Sequence, residues 1–286
     1  MKEELINLDE AVLNALDFFT NTKLPKFTNK YKNPIIIGSG NALATGKLLF
    51  NGTYANESNY KKILKSKKID RAILISASAK KHSIKIAKHL KSKKIHTTLL
   101  TNNPQGKANK FVTKSIIFPK IPEPYTYNTS TYLAMILSVT HENPKKIKDF
   151  LKKQKIPNLK KYKSFFIIVP EKFDNIREFY QTKFDELFGP KINGRSFTYE
   201  ETKHAKTVIK SDKELFISLG CKNKTFGTKK LNIKIPNTAK EGLMFCLGYY
   251  IIGKIQKQNP PYFKKSISNY VKNASKIFKQ KIPLIQ

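Results

Sequence analysis

The chain has 286 residues, which is room for two domains of about 100–150 residues, and its 40% hydrophobic content excludes a disordered protein. Lys and Arg number 55 and Asp and Glu number 20, so the net charge of +35 invites a nucleic-acid function. However, three of the 55 basic residues are arginines (Arg71, Arg177 and Arg195), and the remaining 52 are lysines spread over nearly the whole length. This distribution is typical of a solvated surface rather than of an interface that recognises bases, and we expect no nucleic-acid partner.

Helices and strands alternate over the first half of the chain. The predicted elements, in chain order, are a helix over residues 3–20, a strand over 34–38, a helix over 42–50, a strand over 72–76, a helix over 83–93, a strand over 96–101, a helix over 129–140 and a helix that begins at Pro144. Strands that alternate with helices of this length predict a parallel sheet with helices on both faces.

The same alternation begins again after a lysine-rich stretch over residues 152–163, which contains Pro157 and is the best candidate for a domain boundary. The elements predicted after it are a strand over residues 165–169, a helix over 176–188, strands at Val208–Ile209, 215–219 and 231–235, and helices over 239–255 and 264–279. Two successive α/β units of similar size indicate an internal duplication.

Two cysteines, Cys221 and Cys246, are too few for a disulfide framework or a thiolate zinc site. Residues 1–4 lead into an amphipathic pattern and not into an apolar signal segment. The most apolar stretch, residues 242–253, is shorter than the about 20 residues that span a bilayer. We expect a cytoplasmic protein without a membrane partner.

Two turns at the ends of predicted strands have the residues that phosphate groups need. Gly38-Ser39-Gly40 lies between a strand and a helix, where backbone N–H groups and the helix dipole favour an anion. Ser76-Ala77-Ser78 follows the next predicted strand, and open α/β sheets bind ligands at that edge. The first of these turns is not a dinucleotide fingerprint, because Leu43 stands where the third glycine of G-x-G-x-x-G belongs.

The order of these turns resembles the sugar isomerase (SIS) domain, whose pattern runs strand, G-x-G, helix, strand, S-x-S-G-x-T, helix, and a strand ending in Thr-Asn. Residues 35–50 and 72–103 follow this order, and residues 123–131 resemble the family's E-x-x-V-A-S-T motif. The resemblance covers about residues 30–270. It implies two SIS-type, three-layer α/β/α units with parallel sheets, of the flavodoxin-like or Rossmann-like kind.

Three motifs in the second half resemble the tandem-SIS phosphosugar isomerases, such as the isomerase half of glucosamine-6-phosphate synthase and its phosphoglucose/phosphomannose isomerase relatives. Lys183-Phe-Asp-Glu186 resembles K-L-K-E, whose glutamate shuttles a proton between C1 and C2. Glu201-Thr-Lys-His204 resembles E-L-K-H, whose histidine helps to open the sugar ring. Residues 260–267 resemble P-R-N-L-A-K-S-V, which places the lysine of that motif at Lys265.

The resemblance therefore implies catalytic roles for Glu186, His204 and Lys265. It also implies substrate or phosphate contacts for a set of turn and helix-start residues. These are Gly38, Ser39, Gly40, Ser76, Ser78, Lys81, Thr129, Ser130 and Thr131. The phosphate turn departs from the family's pattern at two positions. Ala79 replaces the glycine after S-x-S, so its Cβ crowds a close backbone approach, and Lys81 replaces the threonine but can itself pair with phosphate.

The resemblance implies four segments: an N-terminal helical segment over residues 1–28, SIS domains over 29–155 and 156–258, and a tail helix over 259–286 that contributes to the active site. We expect a homodimer, since sites in this family are commonly completed across one. No metal site is expected, because His82, His89 and His96 at i, i+7 spacing would lie about 10.5 Å apart along a helix, too far for bonds of about 2.1 Å to one ion.

The expected function is aldose–ketose isomerisation of a hexose 6-phosphate or hexosamine 6-phosphate by proton transfer through an enediol, with no cofactor. A carboxylate and an imidazole supply the acid–base chemistry that this reaction needs. Two alternatives stay open: a deaminase or deglycase of the same family that acts on amino-sugar phosphates, and a sugar-phosphate-binding SIS protein without catalysis.

Overall fold

A computed structural model describes residues 5–27, 31–279 and 281–286. Residues 1–4 and 28–30 lie outside this range, and with them the start of the predicted N-terminal helix, the expected absence of a signal segment, and the boundary placed between residues 28 and 29. The chain forms two compact units. We call them the sheet-one unit (Asn21–Lys120 and Ser130–His141) and the sheet-two unit (the described parts of Met1–Thr20, Ile121–Thr129 and Glu142–Gln286). The four segments expected from the sequence stay a prediction beside this division.

The sheet-one unit is built on a five-stranded parallel sheet in the order β2-β1-β3-β4-β5. Its strands are β1 (Ile35–Ile37), β2 (Thr53–Ala55), β3 (Arg71–Ile75), β4 (His96–Thr101) and β5 (Lys114–Ile117). Its helices are α2 (Asn41–Leu49), α3 (Tyr60–Ser66), α4 (His82–Ser92) and all but the first residue of α5 (Thr129–Thr140). Strand residues two apart share a face of the sheet, and on one face Ile35 and Ile37 pack in one core with Ile86 and Leu90 of α4.

The sheet-two unit has a four-stranded parallel sheet in the order β7-β6-β8-β9. Its strands are β6 (Ser164–Val169), β7 (Asn193–Thr198), β8 (Glu214–Leu219) and β9 (Lys229–Ile233). Its helices are α1 (Leu8–Thr20), α6 (Pro144–Lys152), α7 (Arg177–Phe188), α8 (Tyr199–Thr202), α9 (Glu241–Gln258) and α10 (Tyr262–Ile277). The predicted α/β class with parallel sheets is confirmed.

The two sheets share one strand order, since β6–β9 repeat the arrangement of β1–β4: the first strand lies between the second and the third, and the fourth follows the third. This is the arrangement that an internal duplication would leave, and the duplication stays a prediction. None of the described helices is long and apolar enough to cross a membrane. The cytoplasmic location also stays a prediction.

One predicted strand is wrong. Val208 and Ile209 lie in an irregular segment, where their side chains are 73% and 88% exposed. The strand that the sheet uses instead is β7, with the polar sequence Asn-Gly-Arg-Ser-Phe-Thr. β7 is at the edge of the sheet, so it needs little apolar surface, and its alternation of side chains gave no hydrophobic signal. The short edge strands β2 and β5 were missed for the same reason. Helix α3 was missed because it has seven residues, of which Tyr60 alone is buried, so it has no marked apolar periodicity.

Candidate active site

The β1–α2 turn, Gly38-Ser39-Gly40, lies at the carboxyl edge of the first sheet. A Cβ on Gly38 would come within 2.7 Å of the Leu43 backbone nitrogen, so only glycine lets the strand end lie this close to the first turn of α2. The exposed Ser39 hydroxyl donates a hydrogen bond to the carboxylate of Glu57, which follows β2. The turn therefore presents a negatively charged group beside its serine, which suits a hydroxyl or an ammonium group better than a phosphate.

The β3–α4 turn begins at Ser76 and is the neighbouring strand end, because β1 and β3 pair in register. Its carbonyl groups point toward the segment after β4. The Ala77 carbonyl accepts from the Asn102 backbone N–H at 3.0 Å, and the Ser78 carbonyl accepts from the Asn103 side-chain amide at 2.9 Å. Because the carbonyl and N–H of one trans peptide point in opposite directions, the Ser78 N–H points away from that segment, as an anion-binding turn requires.

Ala79 and Lys81 continue this turn with backbone φ angles of +49° and +48°, in the left-handed region that favours glycine. The Ala79 Cβ is fully buried, and it fits because its neighbour is Gly106. A Cβ on Gly106 would overlap the Ala79 Cβ and come within 3.0 Å of the Ser78 carbonyl oxygen. The crowding expected from alanine in place of the family's glycine is thus relieved by a glycine on the facing segment.

The first residues of α5 have different surroundings. Thr129, Ser130 and Thr131 are all buried. In the sheet-two unit, the Thr129 N–H donates to Glu123 Oε2 at 2.9 Å, so the buried Glu123 carboxylate satisfies the start of the helix. The Thr129 hydroxyl has no hydrogen-bond partner among the described residues, and it is available to a ligand or a water. In the sheet-one unit, the Thr131 carbonyl accepts from the Asn102 amide at 3.4 Å.

Glu186 lies near the end of α7 in an ion pair with Lys183, one helical turn earlier. The Lys183 side chain is fully buried, and its ammonium donates to the Glu186 carboxylate and to the Thr126 carbonyl. Burial raises the pKa of the Glu186 carboxyl, and the charge of Lys183 only partly opposes this effect. The result is a carboxylate that is still 21% exposed and is easier to protonate than an ordinary glutamate.

Two tyrosines complete the surroundings of Glu186. Burial raises the pKa of Tyr270 to about 12, with a further contribution from the Glu186 charge, and it raises the pKa of Tyr125 for the same two reasons. The two rings are 5.7 Å apart between centroids. Tyr125 belongs to the segment whose Thr126 carbonyl binds Lys183, and Tyr270 lies on α10, which packs against α7. The carboxylate thus lies close to two phenol groups and one ammonium group.

Lys265 is exposed in the first turn of α10 and lines a cleft of about 880 Å³ within the sheet-two unit. The cleft also contains Glu123 and the C-terminal residues Leu284 and Ile285. Tyr270, whose pKa the Glu186 charge helps to raise, is five residues further along the helix and so about 7.5 Å away along its axis. The structure therefore places Lys265 on the same helix as a neighbour of Glu186.

His204 is not brought to Glu186 within one chain. It is exposed on the turn after α8, where its backbone N–H donates to the Glu201 carbonyl at 3.1 Å. Glu201 binds Arg177, the first residue of α7, with 2.9 Å between Nη1 and Oε2. Glu186 is nine residues beyond Arg177, about 13.5 Å along the helix. The two candidate groups thus lie at opposite ends of α7.

Several residues of these sites were missed in the sequence. Glu57, Gly106 and Tyr270 are brought in by the fold alone, because no local pattern joins them to the turns or to α7. Glu123 and Tyr125 lie in the motif over residues 123–131, but the motif gave neither of them a role at the site. Lys183 is different, since its i, i+3 spacing from Glu186 predicts a contact on one helix face. Among the described residues, no group of three or more His, Cys, Asp and Glu side chains is arranged to hold a metal ion.

No protein-family model matches the sequence, and a search of the curated proteins finds no match. Solved structures do match. One is the C-terminal domain of glucosamine-fructose-6-phosphate aminotransferase from Francisella tularensis, which is 10% identical in sequence and has a TM-score of 0.57. The match covers 87% of this chain and 92% of that one. Glucosamine-6-phosphate deaminase from Thermotoga maritima is 14% identical with a TM-score of 0.58, and the match covers 89% of this chain and 95% of that one. Tagatose-6-phosphate ketose/aldose isomerase from Escherichia coli is 10% identical with a TM-score of 0.57, and the match covers 90% of this chain and 89% of that one.

These similarities define the class of fold. Each match extends over most of both chains, so the likeness includes both sheets and not one unit alone. The chain has the fold of the SIS-type phosphosugar proteins, as the resemblance of its turns predicted.

The fit between Ala79 and Gly106 is testable by stability. We expect Gly106→Ala to lower the free energy of unfolding by about 1–3 kcal/mol, because the new Cβ overlaps a buried one. In an Ala79→Gly background the same substitution should cost less, since one of the two methyl groups is gone. Urea unfolding of the four proteins measures the coupling. Equal costs in both backgrounds would show that the two residues do not compete for space.

The raised pKa of Glu186 predicts a pH dependence of stability. A folded-state pKa above the ordinary 4.5 means that the folded protein holds the proton more tightly, so stability falls as pH rises from 4.5 through the folded pKa. We expect the free energy of unfolding of the wild type, minus that of Glu186→Gln, to decrease over this range. Urea titrations at a series of pH values measure it, and an increase with pH would contradict the assignment.

Proposed function

We propose that the protein is an aldose–ketose isomerase that acts on a hexose 6-phosphate or hexosamine 6-phosphate. The observation that carries the proposal is the Glu186 site: a carboxylate with a raised pKa, held by a buried ammonium and close to two phenols. Isomerisation takes a proton from one carbon and returns it to the next, so it needs one base that can also act as an acid. A carboxylate whose pKa lies closer to neutrality does both more effectively.

In this proposal Glu186 moves the proton between C1 and C2, and Lys183 holds the carboxylate in place. Lys183 is fully buried, so its ammonium acts as a positioning group and as a fixed positive charge beside the base. A fixed positive charge favours the ionised carboxylate before proton abstraction and the negative charge of the enediolate after it. Glu186 is 21% exposed, so the proton that it holds can exchange with water before it is returned to the neighbouring carbon, and the reaction consumes no cofactor.

The turn after β3 is the proposed phosphate site. Ser76 and Ser78 supply hydroxyl groups, the Ser78 N–H points away from the β4 segment, and Lys81 stands at the start of α4 with a positive charge. The turn after β1 has a different proposed role, because Glu57 binds Ser39 there. We assign Gly38, Ser39 and Gly40 to sugar hydroxyl or amino groups instead of phosphate. The Thr129 hydroxyl is buried and has no hydrogen-bond partner among the described residues, and we propose it as a further group for the substrate.

One observation favours a second candidate, the deaminase or deglycase reaction. The Glu57 carboxylate beside Ser39 is suited to the ammonium group of an amino sugar. Among the solved structures of this fold is a glucosamine-6-phosphate deaminase. Release of ammonia from glucosamine 6-phosphate, measured beside ketose formation, separates the two reactions. A shift in melting temperature with sugar phosphates and no turnover would instead identify a binding protein.

The proposed histidine requires a second copy of the chain. His204 and Glu186 lie at opposite ends of α7, so they cannot act on one sugar within one chain. Close to His204 in sequence, the apolar side chains of Val208 and Ile209 are 73% and 88% exposed, and contact with a second chain would cover them. We propose a homodimer in which the segment from His204 to Ile209 contacts the partner, so that the His204 of one chain and the Glu186 and Lys265 of the other act on one sugar.

The first test of the proposed base is Glu186→Gln. We expect the kcat for ketose–aldose interconversion to fall by about 10²–10⁴-fold, because the amide cannot accept the proton. Glu178→Gln is the matched control, since it makes the same change at an exposed position on α7 and should leave kcat within about twofold. Turnover is measured by NMR with a panel of hexose and hexosamine 6-phosphates.

A loss of folding must be separated from a loss of chemistry. Glu186→Gln leaves the buried Lys183 ammonium without its carboxylate, so urea unfolding measures the stability of this variant beside its kcat. The double variant Lys183→Met/Glu186→Gln removes both charges, so we expect it to be more stable than Glu186→Gln and still inactive. Full activity in either variant would overturn the role of Glu186.

The proposed dimer predicts complementation. Glu186→Gln and His204→Ala should each be inactive alone. When they are unfolded together and refolded as a mixture, about a quarter of the wild-type activity should return, because half of the dimers are mixed and each mixed dimer has one intact site. Refolded mixtures of each variant with itself are the controls. No recovery in the mixture, although both variants elute as dimers, would contradict a shared site.

A further inference from the structure

A second cleft lies in the sheet-one unit, at the amino edge of the sheet and thus at the opposite edge from the turns described above. It has a volume of about 440 Å³ and is lined by Arg71, Lys91, Lys94, His96 and Thr113, among others. Arg71 is the first residue of β3 and His96 the first of β4, and the two are register partners, so their side chains leave the same face of adjacent strands. No acidic side chain lines this cleft among the described residues.

Arg71 differs from the other two arginines of the chain. Arg177 binds the carboxylates of Asp174 and Glu201, and Arg195 binds Glu214 with 2.9 Å between Nη2 and Oε2. Arg71 approaches the exposed Asp70 only at 3.9 Å, the limit for an ion pair. Its guanidinium instead lies over an aromatic ring, that of Tyr31, with 5.7 Å between Cζ and the ring centroid. Stacking on the Tyr31 ring holds the guanidinium in place and leaves its N–H groups available to donate hydrogen bonds to a ligand.

His96 provides an independent observation. Its Nδ1 atom is buried and has no hydrogen-bond partner among the described residues, which is rare for a ring nitrogen. Its ring contacts the same Tyr31 that holds Arg71, with 5.9 Å between ring centroids. The imidazole nitrogen and the guanidinium are therefore fixed by one aromatic side chain at the start of adjacent strands.

The two lysines have an ordinary explanation that does not extend to the strands. Lys91 lies in the last turn of α4 and Lys94 lies two residues beyond its end, where basic residues compensate the negative end of the helix dipole. Arg71 and His96 are on β3 and β4, so the dipole of α4 does not account for them. The cleft thus contains three positively charged side chains, one of them a guanidinium, and one imidazole.

We infer that this cleft binds a small ligand through one or two phosphate groups, at a site separate from the proposed sugar-phosphate turn. A guanidinium binds phosphate oxygens in pairs, and the lysine ammonium groups and the His96 N–H add further donors. The volume of the cleft is that of a small-molecule site. The lysine charge elsewhere on the chain is dispersed, whereas here it is joined to the one arginine that lacks a close carboxylate.

The test is a titration of the full chain with inorganic pyrophosphate, followed by proton NMR of the five histidines at a constant ionic strength of about 150 mM. His96 reports on the cleft, and His82, the first residue of α4, reports on the turn after β3. Variants His96→Gln and His82→Gln assign the two signals. We expect the His96 signal to shift with saturation, whether or not the His82 signal also moves.

Two variants then separate a built site from general charge. Arg71→Met should weaken pyrophosphate binding, as followed by the His96 signal, at least tenfold. Arg71→Lys should have an intermediate effect, because lysine keeps the positive charge but cannot bind two phosphate oxygens at once as a guanidinium does. Lys85→Met removes one charge from an exposed position of the same helix α4 and should change the affinity less than twofold. Melting curves without pyrophosphate confirm that each variant folds.

Three results would overturn the inference. One is a His96 signal that does not move at millimolar pyrophosphate. Another is a linear shift without saturation. The third is an equal loss of affinity in Arg71→Met and Lys85→Met, which would show that general positive charge and not the cleft attracts the anion.

Discussion

A lysine ammonium withdrawn from water needs a carboxylate and further acceptors to offset its desolvation. Lys183 has both, in Glu186 and the Thr126 carbonyl. Thr126 belongs to a segment with other fixed contacts: Glu123 holds the start of α5, and the Tyr125 N–H donates to the Leu284 carbonyl at 2.7 Å. One buried charge thus joins the end of α7 to this segment and, through it, to the C-terminal residues. The proposed base is therefore paired with a lysine that also binds the segment before α5.

The turn after β3 shows how a changed residue is accommodated. An alanine with a positive φ replaces the glycine that the family pattern has, and its methyl group occupies the space that Gly106 leaves. The Ala77 carbonyl binds the Asn102 N–H, so the Ser78 N–H points away from the segment after β4. Lys81 adds a positive charge at the start of α4, where the helix dipole also favours an anion. These changes are compatible with phosphate binding, although they alter the residues that would perform it.

Much of the fold could be predicted because its central strands are short, continuous apolar runs. Ile35–Ile37 and residues 72–75, 165–169 and 215–219 are buried on both faces of their sheets, and composition alone identifies such strands. β7 could not be found in this way, because an edge strand is held by backbone hydrogen bonds and needs few apolar residues. Val208 and Ile209 were predicted as a strand for the opposite reason: both have high β propensity, but their side chains are exposed and do not pack against a sheet.

The candidate site was predictable only in part. Motifs located Glu186 and the serines of the turns, and helical spacing connects Lys183 to Glu186. Gly106 is 27 residues from Ala79, and Tyr270 is far from Tyr125 in sequence, so no local pattern shows that they meet. The separation of His204 from Glu186 could not be predicted without knowing the length of α7 and the direction in which it runs. Long-range contacts of this kind are decided by packing, which a single sequence does not display.

We propose that this protein isomerises a phosphosugar at Glu186. The most direct measurement is the exchange of substrate hydrogen with deuterated water, followed by NMR at C1 and C2 of each hexose and hexosamine 6-phosphate. Deuterium at C1 or C2, together with appearance of the aldose or ketose partner, is the result expected. Absence of exchange and of any product across the panel, from a folded dimeric protein, would contradict the claim and leave the fold alone established.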